Sequence, residues 1–131
     1  MLLVTDLIAT AKARLDDAEV LAAAARFDGS VYLCGYAVEI ALKARICKSL
    51  AWAGYPATRN EFQGYASFRT HDLDVLLHIS GVEPTIKASY LPEWSTVAQW
   101  DPEVRYRAIG SATAHDAVSM VAATKTLLGA L

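Results

Sequence analysis

Tyr32, Tyr36, Glu39 and Lys43 follow one another at steps of four, three and four residues, the spacing that places side chains on one face of an α-helix. A carboxylate one turn ahead of an ammonium is the favourable order for a helical ion pair. Here the pair lies between two apolar stripes, so Glu39 must find partners in Lys43, Arg105 or a tyrosine hydroxyl to offset its desolvation. Two roles follow for it, a buried structural network or a contact to a ligand. Arg105 and Tyr106 form a second candidate, because a guanidinium grips phosphate bidentately and a neighbouring phenol can stack on a base. Their structural alternative is an anchor that packs the Trp100 loop on the helix.

Histidines supply the remaining chemistry. His71-Asp72 and His115-Asp116 each stand at the start of a helical pattern, where free backbone donors and the helix dipole favour an anion. Capping is the simpler role for both, and Thr113-x-x-Asp116 reads as a capping box. Two His-Asp pairs with His78 nearby also raise a metal phosphohydrolase, but further ligands are missing. No zinc spacing, phosphate-cradling glycine loop or nucleophile elbow is visible. We therefore expect no metal or cofactor, and a ligand cleft built from Tyr36, Glu39, Lys43, His71, Arg105 and Tyr106.

The elements that must position these groups are all helical. Val4, Ile8, Ala11, Leu15, Ala18, Ala22 and Ala25 mark one face of a first helix over about Leu3 to Arg26. Asp28-Gly29-Ser30 then reads as a turn, with Ser30 as N-cap. A second helix over about Val31 to Ala51 carries the stripes Val31, Gly35, Val38, Leu42, Ile46 and Leu33, Ala37, Ile40, Ala44, Cys47, which predicts burial on two sides. Trp52 to Arg69 loses the period and alternates turn residues with aromatics. Thr70 is expected to cap a short helix from Leu73 to Ile79 that stops at Gly81. Glu83 to Trp100 is helical in spacing, with Pro92 breaking it into two. A last helix from about Ala112 to Leu128 buries Ala117, Met120, Val121, Thr124, Leu127 and Leu128. No strand pattern or repeat appears, so the expected fold is an all-α, up-and-down bundle of about five helices.

With 131 residues the chain fits one domain, 1–131, near the commonest size. Hydrophobic residues make up 54% and charged residues 20%, a lean polar surface that leaves apolar area for a partner. A net charge of −2 and a pI near 5.9 exclude a global field for nucleic acid, so any such binding must be local. Residues 43–70 hold such an imbalance, with Lys43, Arg45, Lys48, Arg59 and Arg69 against Glu61 alone. Cys34 and Cys47, thirteen residues apart in one helix, are separated by about 20 Å and cannot bridge. Unpaired thiols, no leader pattern and no long apolar run predict a reducing, cytoplasmic setting with no membrane contact.

Tyr32-Leu33-Cys34-Gly35-Tyr36-Ala37-Val38-Glu39-Ile40-Ala41-Leu42-Lys43-Ala44 resembles the second-helix signature of HEPN domains, a prokaryotic family of nucleotide- and RNA-associated bundles. Thr70-His71-Asp72-Leu73 with Leu76-Leu77 is similar to the family's short third helix, and Trp100-Asp101-Pro102-Glu103-Val104-Arg105-Tyr106 precedes the final helix in the expected order. The resemblance implies a helical bundle, homodimerisation through helix faces, and pairing with a small nucleotidyltransferase. Many members are metal-independent ribonucleases with an Arg followed, after four to six intervening residues, by a His in the last helical region; such an activity here would make the chain an endoribonuclease, a toxin or phage-defence effector. This chain departs from that spacing: seven residues separate Arg107 from His115, nine separate Arg105 from it, and one separates Arg69 from His71. The expectation is a non-catalytic nucleotide- or RNA-binding or nucleotidyltransferase-docking homodimer. The alternatives are an endoribonuclease using Arg105 or Arg107 to orient phosphate and His115 as general acid or base, or a purely structural dimer.

Overall fold

The backbone turns back after its first helix without a glycine. In the computed structural model, which describes residues 1–131, α1 spans Val4–Ala23 and α2 spans Phe27–Leu50. Ala25 between them takes a left-handed φ of 58°. The Arg26 N–H then donates to the Leu21 carbonyl at 2.8 Å and the Ala25 N–H to Ala22 at 3.1 Å, satisfying carbonyls that the helix end would leave orphaned. α2 stops in the same way at Ala51, φ 55°, where the Trp52 N–H donates to Cys47 at 2.8 Å. Glycine is the usual signal for this stop, so the expected first helix overran its end, to Arg26 instead of Ala23, whereas the expected end of the second at about Ala51 coincides with its cap.

The turn expected at Asp28-Gly29-Ser30 is corrected accordingly. These residues form the first turn of α2, because Ala24 to Arg26 already reverse the chain. Ser30 is no N-cap: it is buried, and its Oγ donates to the Ala18 carbonyl of α1 at 2.8 Å, holding two backbones together across the interface. On α1 the buried residues are Leu7, Ala11, Leu15 and Ala18. Ile8 is 45% exposed and Ala25 is exposed, because neighbours fit a helical period almost equally well and only packing selects Leu7 as the inward one.

α2 is covered on both sides, as its two stripes require. Val38, Leu42 and Ile46 of one stripe and Ala37, Ala44 and Cys47 of the other are all buried. Cys34 and Cys47 are free, and burial pushes the Cys34 thiol up to about 11. After α2, residues 52–70 form an ordered aromatic connection. β2 (Gly54–Tyr55) pairs antiparallel with β1 (Leu2–Leu3), placing Leu2 opposite Tyr55. Tyr55 is fully buried and donates its hydroxyl to the Phe68 carbonyl, while Trp52 packs on Tyr65 and Phe68, each at 5.2 Å between ring centroids.

α3 spans Leu73–Ser80. Its cap is Asp72, whose carboxylate accepts from the N–H groups of Asp74 and Val75 at 2.9 and 3.2 Å. Thr70, expected there, instead accepts the Asp72 N–H at 3.1 Å, because a carboxylate two residues on reaches the free donors directly. Gly81 closes the helix at φ 79°. α4 (Glu83–Ser89) and α5 (Leu91–Val97) replace one continuous helix, with Pro92 in the first turn of α5, where a missing N–H leaves no bond unmade. A 3₁₀ turn over Pro102–Tyr106 leads to α6, Ala114–Ala130. The Thr113–Asp116 capping box forms in both directions, at 2.9 and 3.1 Å. Ala117, Met120, Thr124 and Leu127 of α6 are buried as expected, Ala123 joins them, and Val121 and Leu128 are half-buried.

The result is an all-α bundle of six helices with one two-residue strand pair. α6 runs beside α2 in the same direction: Asp28 at the start of α2 binds backbone just before α6, and Ala44 and Arg45 near the end of α2 share a cleft with Leu128 and Gly129. No helix is long and apolar enough to cross a membrane.

Candidate functional site

Along α2 the strip Tyr32, Tyr36, Glu39, Lys43 is continuous, and it joins two different environments. At the Lys43 end Glu39 is only 3% exposed. Lys43 donates its Nζ to Oε2 at 3.3 Å, and the Nδ1 of His71 meets Oε1 at 2.8 Å. Each carboxylate oxygen thus has a charged or polar partner, which is what a buried carboxylate demands. The Lys43 ammonium also lies 5.3 Å from the centre of the Tyr55 ring, an additional cation–π contact. Of the three, only His71 is well exposed. The cluster ties α2 to the segment entering α3.

Arg105 does not reach Glu39. Its guanidinium lies 4.8 Å from the centre of the Tyr106 ring, and the phenol oxygens of Tyr106 and then Tyr32 hold its pKa above the ordinary arginine value. Tyr32 in turn stacks on Tyr36, with centroids 6.5 Å apart and planes 10° from parallel, and packs on Trp100 at 6.1 Å. Tyr36 is therefore the link between the two ends of the strip.

At the Tyr32 end the protein holds a cavity of about 610 Å³, within the size range of small-ligand sites. Tyr32 and Trp100 form an aromatic wall, while Arg105, Arg107 and His115 bring three basic side chains to the lining. Thr96, Gln99, Ser111 and Ser119 add hydrogen-bonding groups. Trp100 is buried, and its indole N–H has no acceptor. Its position depends on Gly35: a Cβ built there would stand 2.2 Å from Cγ and Cδ2 of the indole. A glycine inside α2 is what lets the ring lie directly on the helix backbone.

A backbone clamp shapes the other wall. The Asp28 carboxylate accepts the Gly110 N–H at 2.6 Å and the Ala112 N–H at 2.9 Å, and these bonds hold its pKa below the usual carboxylate value. Gly110 takes φ 85°, open to glycine without strain. Folded onto α2 in this way, the loop delivers Arg107 before it and His115 after it to one cavity, although seven residues separate them in sequence. Tyr106, 72% exposed, stands outside the lining.

The structure thus divides the six expected ligand residues. Glu39, Lys43 and His71 converge at one end of the strip, Arg105 and Tyr106 at the other, with Tyr36 between. Sequence reading missed Asp28, Trp100 and Tyr32 as builders of the cavity. Gly35 was the available signal for Trp100, since an isolated glycine within a helical pattern marks a close approach. Asp28 carried none, because its partners are backbone amides more than eighty residues away. The histidine–aspartate pairs do not meet: no group of three or more His, Cys, Asp or Glu side chains is placed to hold a metal ion. In comparison with known proteins, no family model, no curated sequence and no solved structure matches this chain.

Proposed function

We propose that the chain is a HEPN-like binding module that takes a nucleotide or a short stretch of RNA in the cavity of Arg105, Arg107 and His115. One observation carries this reading: Arg105, Arg107 and His115, from two segments, line a single cavity together with the rings of Tyr32 and Trp100, and the two carboxylates there, Asp28 and Asp116, are engaged by backbone amides. Phosphate oxygens pair with guanidinium groups, and bases stack on aromatic faces with about 1–3 kcal/mol each. In a chain of net charge −2 such attraction is local, so binding should be short in footprint. Tyr106, Ile109 and Val118 are exposed on the segments that carry the basic residues, and they provide the apolar rim on which a second copy or a nucleotidyltransferase partner would close.

Filter binding of mixed-sequence single-stranded RNA over a salt series tests the proposal. Binding should weaken with salt, and Arg105→Ala and Arg107→Ala should each weaken it and flatten the salt slope by about one contact. Unchanged binding in both variants would remove the cavity from consideration, and no RNA or nucleotide binding at all would end the reading.

A catalytic reading is favoured by one feature, the loop geometry that sets Arg107 and His115 in the same cavity. In it an arginine orients the phosphate and His115 moves a proton to or from the ribose hydroxyl or leaving oxygen. Incubation of the same RNA in chelator decides between the two: cleavage lost in both His115→Ala and Arg105→Ala makes the chain a ribonuclease, and intact RNA leaves it a binder.

A further inference from the structure

A second cleft lies toward the other end of α2 and shares no lining residue with the cavity of Arg105, Arg107 and His115. It is bounded by α1, α2 and α6 and encloses about 420 Å³. Its origin is in side-chain size. Ala11 of α1, Ala41 and Ala44 of α2, and Gly129 of α6 all face it, and four small residues on three packed helices leave a gap that Ile8, Leu15 and Leu128 wall but do not fill. The partial exposure of Ile8 is explained by this gap.

The charged side chains of the cleft are all of one sign, and Leu131 completes its lining. Lys12, Arg45, Lys48 and Lys125 line it, and no acidic side chain does. Lys12 is paired with Asp16 on its own helix, and Lys125 lies 3.7 Å from Glu19. Arg45 and Lys48 have no carboxylate within ion-pair distance. The Arg45 Nε is shielded from solvent with no acceptor, an orphan donor that a native structure seldom leaves unmatched. A greasy trough with an unneutralised cationic edge complements a molecule having an apolar tail and one anionic head.

We infer that this cleft binds a single-chain amphiphilic carboxylate, its tail lying over Ala11, Ala41, Ala44 and Gly129 and its head held by Arg45 and Lys48. The tail contributes by area removed from water, the head by a charge-assisted, two-point hydrogen bond of the kind that arginine forms with carboxylates. The inference is independent of the proposed RNA site, which shares none of these residues.

The test is calorimetric titration of the full chain with straight-chain carboxylates from hexanoate to dodecanoate, kept below their micelle concentrations. Matched alcohols and vesicles of anionic phospholipid serve as parallel arms. Affinity should tighten about fourfold per added methylene until the trough is full, and each carboxylate should outbind its alcohol. Arg45→Met should abolish that preference. Gly129→Leu should abolish binding by filling the trough; a Cβ at Gly129 meets nothing within 4 Å, and an unchanged circular dichroism melt would show that the variant folds. Binding of dodecanoate and dodecanol with equal affinity, binding to vesicles only, or dodecanoate binding undiminished by Gly129→Leu would each overturn the inference, as would no binding of any carboxylate.

Discussion

Adding one methyl group at Gly35 should loosen the fold and damage the cavity proposed to bind RNA together, whereas the same change at Gly129 should do neither. A Cβ at Gly35 would meet the Trp100 ring at 2.2 Å. Carbon atoms pack at about 3.5 Å or more, so the indole must withdraw by roughly 1.3 Å. Trp100 is buried, with Tyr32 packed beside it, and a ring pushed off α2 must shift against Tyr32 and into the cavity it walls. Overpacking of this kind costs about 1–3 kcal/mol. Alanine in place of glycine within a helix returns about 0.5–1 kcal/mol, leaving a net loss centred on about 1 kcal/mol. For a domain of this size that lowers the melting temperature by roughly 3–5 °C. Melts followed by circular dichroism, tryptophan emission and RNA titration on both variants give the comparison. Gly129→Ala should keep or slightly raise stability and leave RNA affinity unchanged. A Gly35→Ala protein as stable as the parent, with the same emission and RNA affinity, would refute the claim that the helix backbone seats the indole and thereby the cavity wall.

Two further outcomes follow from the polar groups. Lys43→Met leaves the Glu39 carboxylate buried with His71 as its one remaining partner and should cost about 3 kcal/mol in denaturant unfolding; Glu39→Leu added to it should recover part of that loss, and strict additivity of the two would show that the residues are not coupled. Asp28 is held ionised by the Gly110 and Ala112 amides, so its folded pKa lies below its unfolded one. Its contribution is therefore complete above the unfolded value and lost as pH falls through the folded value. Hydrogen exchange of residues 107–112 should accelerate in that acid window, and Asp28→Ala should show the fast exchange already at neutral pH; a loop equally protected in the variant would mean that the clamp does not hold it.

Sequence periodicity was sufficient for the helices because burial imposes it. The two stripes of α2, the Pro92 break, the Gly81 stop and the Thr113–Asp116 box each have a local cause, and each is present. The reversal at left-handed Ala25, and with it the start of α2 at Phe27, was invisible, since a residue other than glycine gives no warning there. The candidate sites divide along the same line. Glu39 with Lys43 was legible from spacing on one helix, and His71 joined them from a segment thirty residues on. The cavity was not legible: it exists because Asp28 folds a distant loop and Gly35 admits Trp100, and such long-range pairings leave no periodic trace. The spacing from Arg107 to His115 misled for that reason, since a loop bent through Gly110 shortens in space what is long in sequence.

The parallel course of α2 and α6 makes the protein electrically lopsided. In an antiparallel pair the two peptide dipoles cancel, as those of α1 and α2 do across their short reversal, so the pole of α6 is left over and places about half a positive charge at the end where Arg105, Arg107 and His115 gather. Asp28 and Asp116, in the first turns of α2 and α6, offset part of it. At the far end the remaining negative pole, that of α6, faces Arg45, Lys48 and Lys125. A net charge of −2 conceals this arrangement, since it counts side chains and not their placement along two aligned backbones. An approaching anion meets a surface with a direction, and the protein should turn in its field before it touches anything.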